Sequence, residues 1–413
     1  MRAQMARMAE RIDSLETQLA DAQARADAAG NAAAAEPETR IKWDGAPKLA
    51  TKEGWSFKPR GRLQFDAAGV DTPDGIAARK QLGFGTEIRR AYIGFDGTMP
   101  GGFGYRLEAD FADNEVEVTD LYLTYAASKQ ITVTIGQHKP FWGMEDATSD
   151  LFLSFQERAA FNGAFGFERR MGVSGAWQAK ALLVQAGVFT DDVADLGSDR
   201  NNSYGFDGRI VFMPKLGKGQ LHVGGSAHFR DFNDHTTGTR YRARPFVHTT
   251  DLRLVDTGTF SATGERNYGV ELAYIRGRFH ASAESHWLTA RRPGLADPTF
   301  NGGYVEAGYL LTDDVTAYKN GGYDRIRPKK PVGAGGIGAV QVNVRYDWLD
   351  LSDAGVVGGR QRLAGVSVVW MPTDYVRFLA NYGHLWLRGA AVSAGADRDY
   401  SADAFGMRAQ FDF

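Results

Sequence analysis

Ala404-Phe-Gly-Met-Arg-Ala-Gln-Phe-Asp-Phe413 decides the fold. Phe405, Met407, Ala409, Phe411 and Phe413 share one parity; Ala404, Gly406, Arg408, Gln410 and Asp412 share the other. Period two over ten residues is a strand with two unlike faces. An aromatic at the last position suits a strand whose outer face lies in lipid and whose terminal ring sits in an interfacial belt. The reading is a β-barrel of the bacterial outer membrane.

Composition agrees. The 413 residues include 50 glycines and 25 phenylalanines, which fit tight turns and aromatic girdles. Mean hydropathy is only −0.35 because lumen-facing polar residues dilute every strand. No stretch reaches the roughly 18 to 20 apolar residues of a membrane helix. The absence of cysteine leaves no thiolate metal site and no disulfide, and neither a metal nor a cofactor is expected. A basic segment followed by an apolar one is missing at the start, so any secretory signal is expected to be already removed.

Residues 1–30 read as a coiled-coil helix, 31–54 as a linker and 55–413 as the barrel. Met5, Met8, Ile12, Leu15, Leu19, Ala22, Ala26 and Ala29 follow a 3-4 spacing, with Arg11 and Glu16 at flanking positions. This helix is expected in the periplasm, with an envelope component there as an alternative partner. From Trp55 onward, alternating segments add up to about sixteen antiparallel strands, each near the length a tilted strand needs. The fold class is all-β: a sixteen-stranded transmembrane barrel with inward loops behind a short helix.

The polar faces carry the functional signal. Lys58, Arg60 and Arg62 alternate with Phe57, Leu63 and Phe65, and an outward Lys or Arg near the bilayer midplane costs about 2–4 kcal/mol. They are expected in the lumen, as are Arg106, Glu108, Asp110, Asp207, Arg209, Asn343 and Arg345. Arg89 and Arg90 cannot both face inward by simple alternation, which favours Arg90. Arg240, Arg242 and Arg244 would align three guanidinium groups, each able to grip an oxyanion bidentately. Arginines binding lipopolysaccharide phosphates at the cell surface are the alternative. Counting strands back from Phe413 makes 233–262 and 139–166 long extracellular loops, and such loops commonly fold inward.

Gln137-His-Lys-Pro-Phe-Trp-Gly-Met-Glu145 and Phe155-Gln-Glu-Arg158 resemble the third-loop pattern of the phosphate-selective porins O and P. Phe57-Lys-Pro-Arg-Gly-Arg-Leu-Gln64, Arg89-Arg-Ala-Tyr92, Arg240-Tyr-Arg-Ala-Arg-Pro245, Leu310-Leu-Thr-Asp313 and Gly335-Gly-Ile-Gly-Ala339 extend the likeness over about 55–413. The resemblance implies a homotrimer of sixteen-stranded barrels whose third and fifth loops turn inward. Arg240, Arg242 and Arg244 would then form an anion ladder, with Arg62, Arg89, Arg90 and Tyr92 near a central site. Asp146 stands where a lysine is expected, with Lys139 upstream, which predicts a shifted or weakened site.

Enzymatic motifs are missing. Gly333-Ala-Gly-Gly-Ile-Gly338 is followed by a β-rich segment rather than a helix, and Gly172-Val-Ser174-Gly lacks the nucleophile-elbow spacing. His222 and His228 share a face but stand too far apart for one metal. The expected function is passive passage of small anions, phosphate or a related oxyanion, with outer-membrane lipid and lipopolysaccharide as surroundings and no nucleic acid. A general porin with weak anion preference, or an envelope anchor acting through the helix, are the alternatives.

Overall fold

The computed structural model describes residues 1–34, 39–76, 81–196, 203–232 and 238–413. Helix α1 spans Arg2–Ala34. Within the segment read as linker, Thr39–Asp44 and Ala46–Thr51 form a hairpin that prolongs the first barrel strand through Leu49↔Phe57. The Tyr375 hydroxyl donates to Asp44 Oδ1 at 3.0 Å, tying the hairpin tip to the turn between the fourteenth and fifteenth barrel strands.

Among the described residues, sixteen antiparallel strands close into one barrel. They are β1 Ser56–Asp71, β2 Gly85–Met99, β3 Phe103–Asp110, β4 Glu117–Ala126, β5 Ile131–His138, β6 Arg170–Ala179, β7 Leu182–Phe189 and β8 Tyr204–Phe212. Then come β9 Gly219–Asp231, β10 Gly264–Arg276, β11 Phe279–Arg291, β12 Thr299–Leu310, β13 Ala339–Asp353, β14 Val356–Met371, β15 Val376–Arg388 and β16 Tyr400–Asp412. β16 pairs with β1, Gln410↔Gln64 and Phe411↔Leu63, so no sheet edge is left open. On β16 the parity holds: Phe405, Met407 and Phe411 are exposed on the outer wall, while Arg408, Gln410 and Asp412 are buried inside. Arg106, Glu108, Asp207, Arg209, Asn343 and Arg345 also point inward.

The two long loops on the extracellular side both fold into the lumen. Loop 139–169 carries the short helices α2 Met144–Ala147 and α3 Ala160–Ala164. Glu284 of β11 accepts the amides of Met144 and Glu145 at 2.9 and 2.6 Å, and Arg345 of β13 bonds Glu145 Oε1 at 2.6 Å. Burial pushes the Glu145 carboxyl up to about 7, with Arg345 opposing. Loop 232–263 packs Tyr241, Ala243, Phe246, Val247 and Leu254 against Phe155, Phe161 and Phe165 of the first loop and against inward Leu288, Phe300, Leu349 and Leu363 of the wall. That half of the lumen is therefore an apolar core, each full side chain contributing about 1.5–3 kcal/mol.

A third segment enters from the other end, and the sequence reading had not assigned it. Between β12 and β13, Ala317–Lys319 and Gly322–Asp324 form a hairpin whose turn places Asn320 and Gly321 at φ 51° and 80°, the two positive angles of a type I′ turn. Arg209 donates to the Gly321 carbonyl at 2.8 Å, Tyr318 Oη lies 2.6 Å from His222 Nδ1, and the Tyr323 amide donates to Thr148 Oγ1 at 3.1 Å. The hairpin meets the extracellular loop inside the barrel. Replacing 317–324 with two glycines should raise single-channel conductance in planar bilayers; an unchanged conductance would put the hairpin outside the conducting path.

Candidate functional site: a cationic passage beside the packed half-lumen

Two β-bulges aim the site. Pairing of β1 with β2 runs Gln64↔Arg90 and then Phe65↔Ile88, leaving Arg89 as the extra residue. A bulge adds one residue to one strand and re-aims its neighbours, so Arg89 and Arg90 both turn inward where plain alternation admits only one. Arg89 forms a fork with Glu157, Nε–Oε1 3.0 Å and Nη2–Oε2 3.2 Å. Arg90 reaches Asp150 Oδ2 at 2.6 Å and Gln64 Oε1 at 2.8 Å. A second bulge leaves Thr119 of β4 unpaired and puts it and Asp120 together on the inner face.

Two cavities meet at the inserted loop. One, of about 390 Å³, is lined by Arg60, Arg62, Arg90, Tyr92, Arg106, Lys139, Arg158 and Arg169, with Asp120 and Asp150 as the carboxylates on its surface. The other, of about 350 Å³ and nearer the extracellular end, is lined by Arg89, Arg90, Arg158, Arg242, Arg244 and Arg253, with Asp146, Glu157 and Glu168. Arg90 and Arg158 border both. Cations outnumber carboxylates on each surface, seven to two and six to three.

Many of these cations already hold an acid. Arg62 contacts Asp150 and, at 3.4 Å, Glu108, and lies 4.5 Å from the Tyr92 ring centroid. Arg60 bonds Asp96 at 3.0 Å, and Lys58 lies opposite Asp96 in register near the periplasmic end, lining neither cavity. Arg169 bonds Asp120 at 2.6 Å. Burial alone would raise the Asp150 and Glu157 carboxyls, but Arg62 and Arg90 hold the first, and Arg89 and Arg408 the second, well below the usual range.

Lys139 Nζ donates to Asp146 Oδ1 at 2.8 Å, so the third-loop departure seen in the sequence neutralises its own upstream lysine. Burial pushes the Lys139 amine down to about 8, helped by Arg158 and opposed by Asp146.

Arg240, Arg242 and Arg244 alternate with buried Tyr241 and Ala243 as expected. They do not share one wall, however. Arg240 pairs with Asp256, Nε–Oδ1 2.8 Å, and borders a separate cavity, whereas Arg242 and Arg244 face Arg89 and Arg90. Arg253 joins that pair; burial, then Arg244 and Arg242, depress its guanidinium to about 10.

Sequence reasoning did not single out Arg158 as a site residue, although its motif was noticed. It donates from Nε to the Glu145 carbonyl at 3.0 Å and from Nη2 to the Thr148 carbonyl at 2.8 Å. Among the described residues no carboxylate lies within ion-pair distance of it. The guanidinium is thus fixed in direction by carbonyls rather than by an ion pair.

A closed sixteen-stranded barrel narrowed by inserted loops around a charged passage is an outer-membrane porin, a channel rather than an enzyme. The chain belongs to the phosphate-selective porin O and P family, whose model matches residues 57–413. It is 45% identical over 384 residues to an uncharacterised protein of Caulobacter vibrioides, covering 91% of this chain and 77% of that one. It is 27% identical over 428 residues to porin O of Pseudomonas aeruginosa, covering 90% of this chain and 92% of that one. Its fold is similar to that of an anion-selective porin from Comamonas acidovorans, with a TM-score of 0.52 at 14% identity, covering 87% and 100% of the two chains.

Asp150→Asn removes the shared partner of two buried arginines, and breaking such a pair costs about 3–5 kcal/mol. The variant in detergent should unfold at clearly lower temperature than the native barrel, measured by circular dichroism. An unchanged transition would mean that Arg62 and Arg90 do not depend on this carboxylate.

Proposed function

We propose that the porin passes small anions, with phosphate or a related oxyanion as its preferred solute. The observation that carries this reading is Arg158, a guanidinium held by two carbonyls and, among the described residues, in no ion pair, on the border of two cavities rich in cations. Arg242, Arg244 and Arg253 crowd one another at the extracellular approach, and Asp251, 3.0 Å from Arg244 and 4.0 Å from Arg253, offsets only part of their charge. Steering by this field concentrates anions at the mouth. Bidentate contacts then pass the anion toward Arg158 and Arg90, and on to Arg62 and Arg60 beside Tyr92. Each step holds it strongly enough to enter and weakly enough to leave.

A second reading, a general porin with weak anion preference, draws support from the internal carboxylates. Asp120, Asp150 and Glu157 already occupy arginines that a free oxyanion would use, and Asp146 occupies Lys139. The seam of α1 is exposed along Met5, Met8, Ile12, Leu15 and Leu19, which supports self-association of this helix in a homotrimer on the periplasmic side. Attachment to another envelope component through the same seam is the alternative, and removing residues 1–40 would abolish attachment without abolishing conductance.

Phosphate added to a chloride bath decides between the first two readings. Block of the chloride current at low phosphate concentration, weakened about tenfold by Arg158→Ala through loss of one charged hydrogen bond, supports an internal oxyanion site. No block by phosphate favours the general porin.

The Lys139 amine adds a pH dependence. Its charged form is the protonated one, so the passage loses one positive charge as pH climbs through about 8. The anion-to-cation permeability ratio should fall between pH 7 and 9, and Lys139→Arg should flatten that fall. A native ratio constant over this range would contradict the assignment.

A further inference from the structure

The outer wall, away from the passage, carries a feature that transport does not use. Arg266 is the third residue of β10 and points outward. In the row across the sheet it stands between Phe229 of β9 and Thr289 of β11, with Phe206 of β8 beyond Phe229. Among the described residues it has no hydrogen bond and no ion pair. One row nearer the extracellular rim lies Arg291, bonded to Asp231 at 2.6 Å.

One row toward the membrane centre, Gly208 and Ala227 leave the wall low beside Tyr268, which meets the Phe229 ring edge-on at 5.7 Å between centroids. Above that row, at the level of Arg266 and Arg291 themselves, a cavity of about 500 Å³ opens, lined by Tyr204, Phe206 and Phe229 with the two arginines and with Asp231 and Asp297. A guanidinium on the lipid-facing wall is tolerated only near the headgroups, and here it borders a hollow with aromatic sides.

We propose that this hollow binds one molecule of an acidic glycolipid of the outer leaflet, lipopolysaccharide, with an acyl chain against Phe206 and Phe229 and an anionic headgroup oxygen on Arg266. The inference rests on the outer-membrane placement and is independent of which solute the lumen prefers. Arg266 supplies the charge, and Tyr204, Phe206 and Phe229 supply the apolar sides. Arg291, already paired, adds field rather than a free fork. A lone basic residue at a membrane surface would attract any anionic lipid equally; an aromatic-sided hollow beside it, sized for part of a lipid body, selects a bulky, acylated one.

The test uses the full chain purified in zwitterionic detergent and titrated with fluorescently labelled lipopolysaccharide. Arg266→Glu should weaken binding about tenfold, and Arg266→Lys should stay close to native. Millimolar inorganic phosphate should not displace the label, and dioleoylphosphatidylglycerol should compete poorly. Equal binding by native and Arg266→Glu proteins would overturn the proposal, as would efficient displacement by either competitor. Native mass spectrometry gives the remaining outcome: if Arg266→Glu lowers the number of chains per particle, this face joins copies of the chain and the lipid site is refuted. Single-channel conductance of Arg266→Glu should match the native channel, which keeps failure of this proposal distinct from failure of the porin reading.

Discussion

A guanidinium facing hydrocarbon at mid-membrane costs about 2–4 kcal/mol, and that cost organises this molecule. It sends the basic residues of β1, β2 and β3 into the lumen, where Arg60, Arg62, Arg90 and Arg106 converge on one cavity. Once inside, they need partners, because charges taken from water are expensive to leave alone. Asp120, Asp150 and Glu157 supply them, and the last two lie on the inserted loop. The loop is drawn inward by the charges whose access it then controls.

The rest of the lumen solves a different problem. A sixteen-stranded barrel is too wide to be filled by its own wall residues. Here the far side is filled by apolar packing of two extracellular loops, and the hairpin at Ala317–Asp324 is pinned from the other end by Arg209, His222 and Thr148. The passage keeps to the strands that carry arginine. On the proposed reading, selectivity depends on which cations stay outside ion pairs, Arg158 among them.

Much of this was legible in the chain itself. Alternation in 404–413 gave the barrel face, and parity counted back from Phe413 placed both long loops on the same end. The bulge at Arg89 was invisible because alternation is a rule about regular pairing, and one inserted residue breaks it. The internal hairpin announced itself only by Asn320-Gly321, a local turn signal that says nothing about where the hairpin docks. The carboxylates were hidden for another reason. Asp150 and Glu157 lie in a loop without period, and only the folded path of 139–169 carries them to Arg90 and Arg89. The fold of the other long loop separates Arg240 from Arg242 and Arg244, although the three are evenly spaced in sequence.

Anion passage requires a net positive lumen that survives internal neutralisation. The reversal potential of the native channel in a planar bilayer, under a tenfold potassium chloride gradient, reads that charge directly. A potential displaced toward the chloride equilibrium value is the predicted result. A potential displaced toward the potassium value would mean that the carboxylates prevail, and the account would fail.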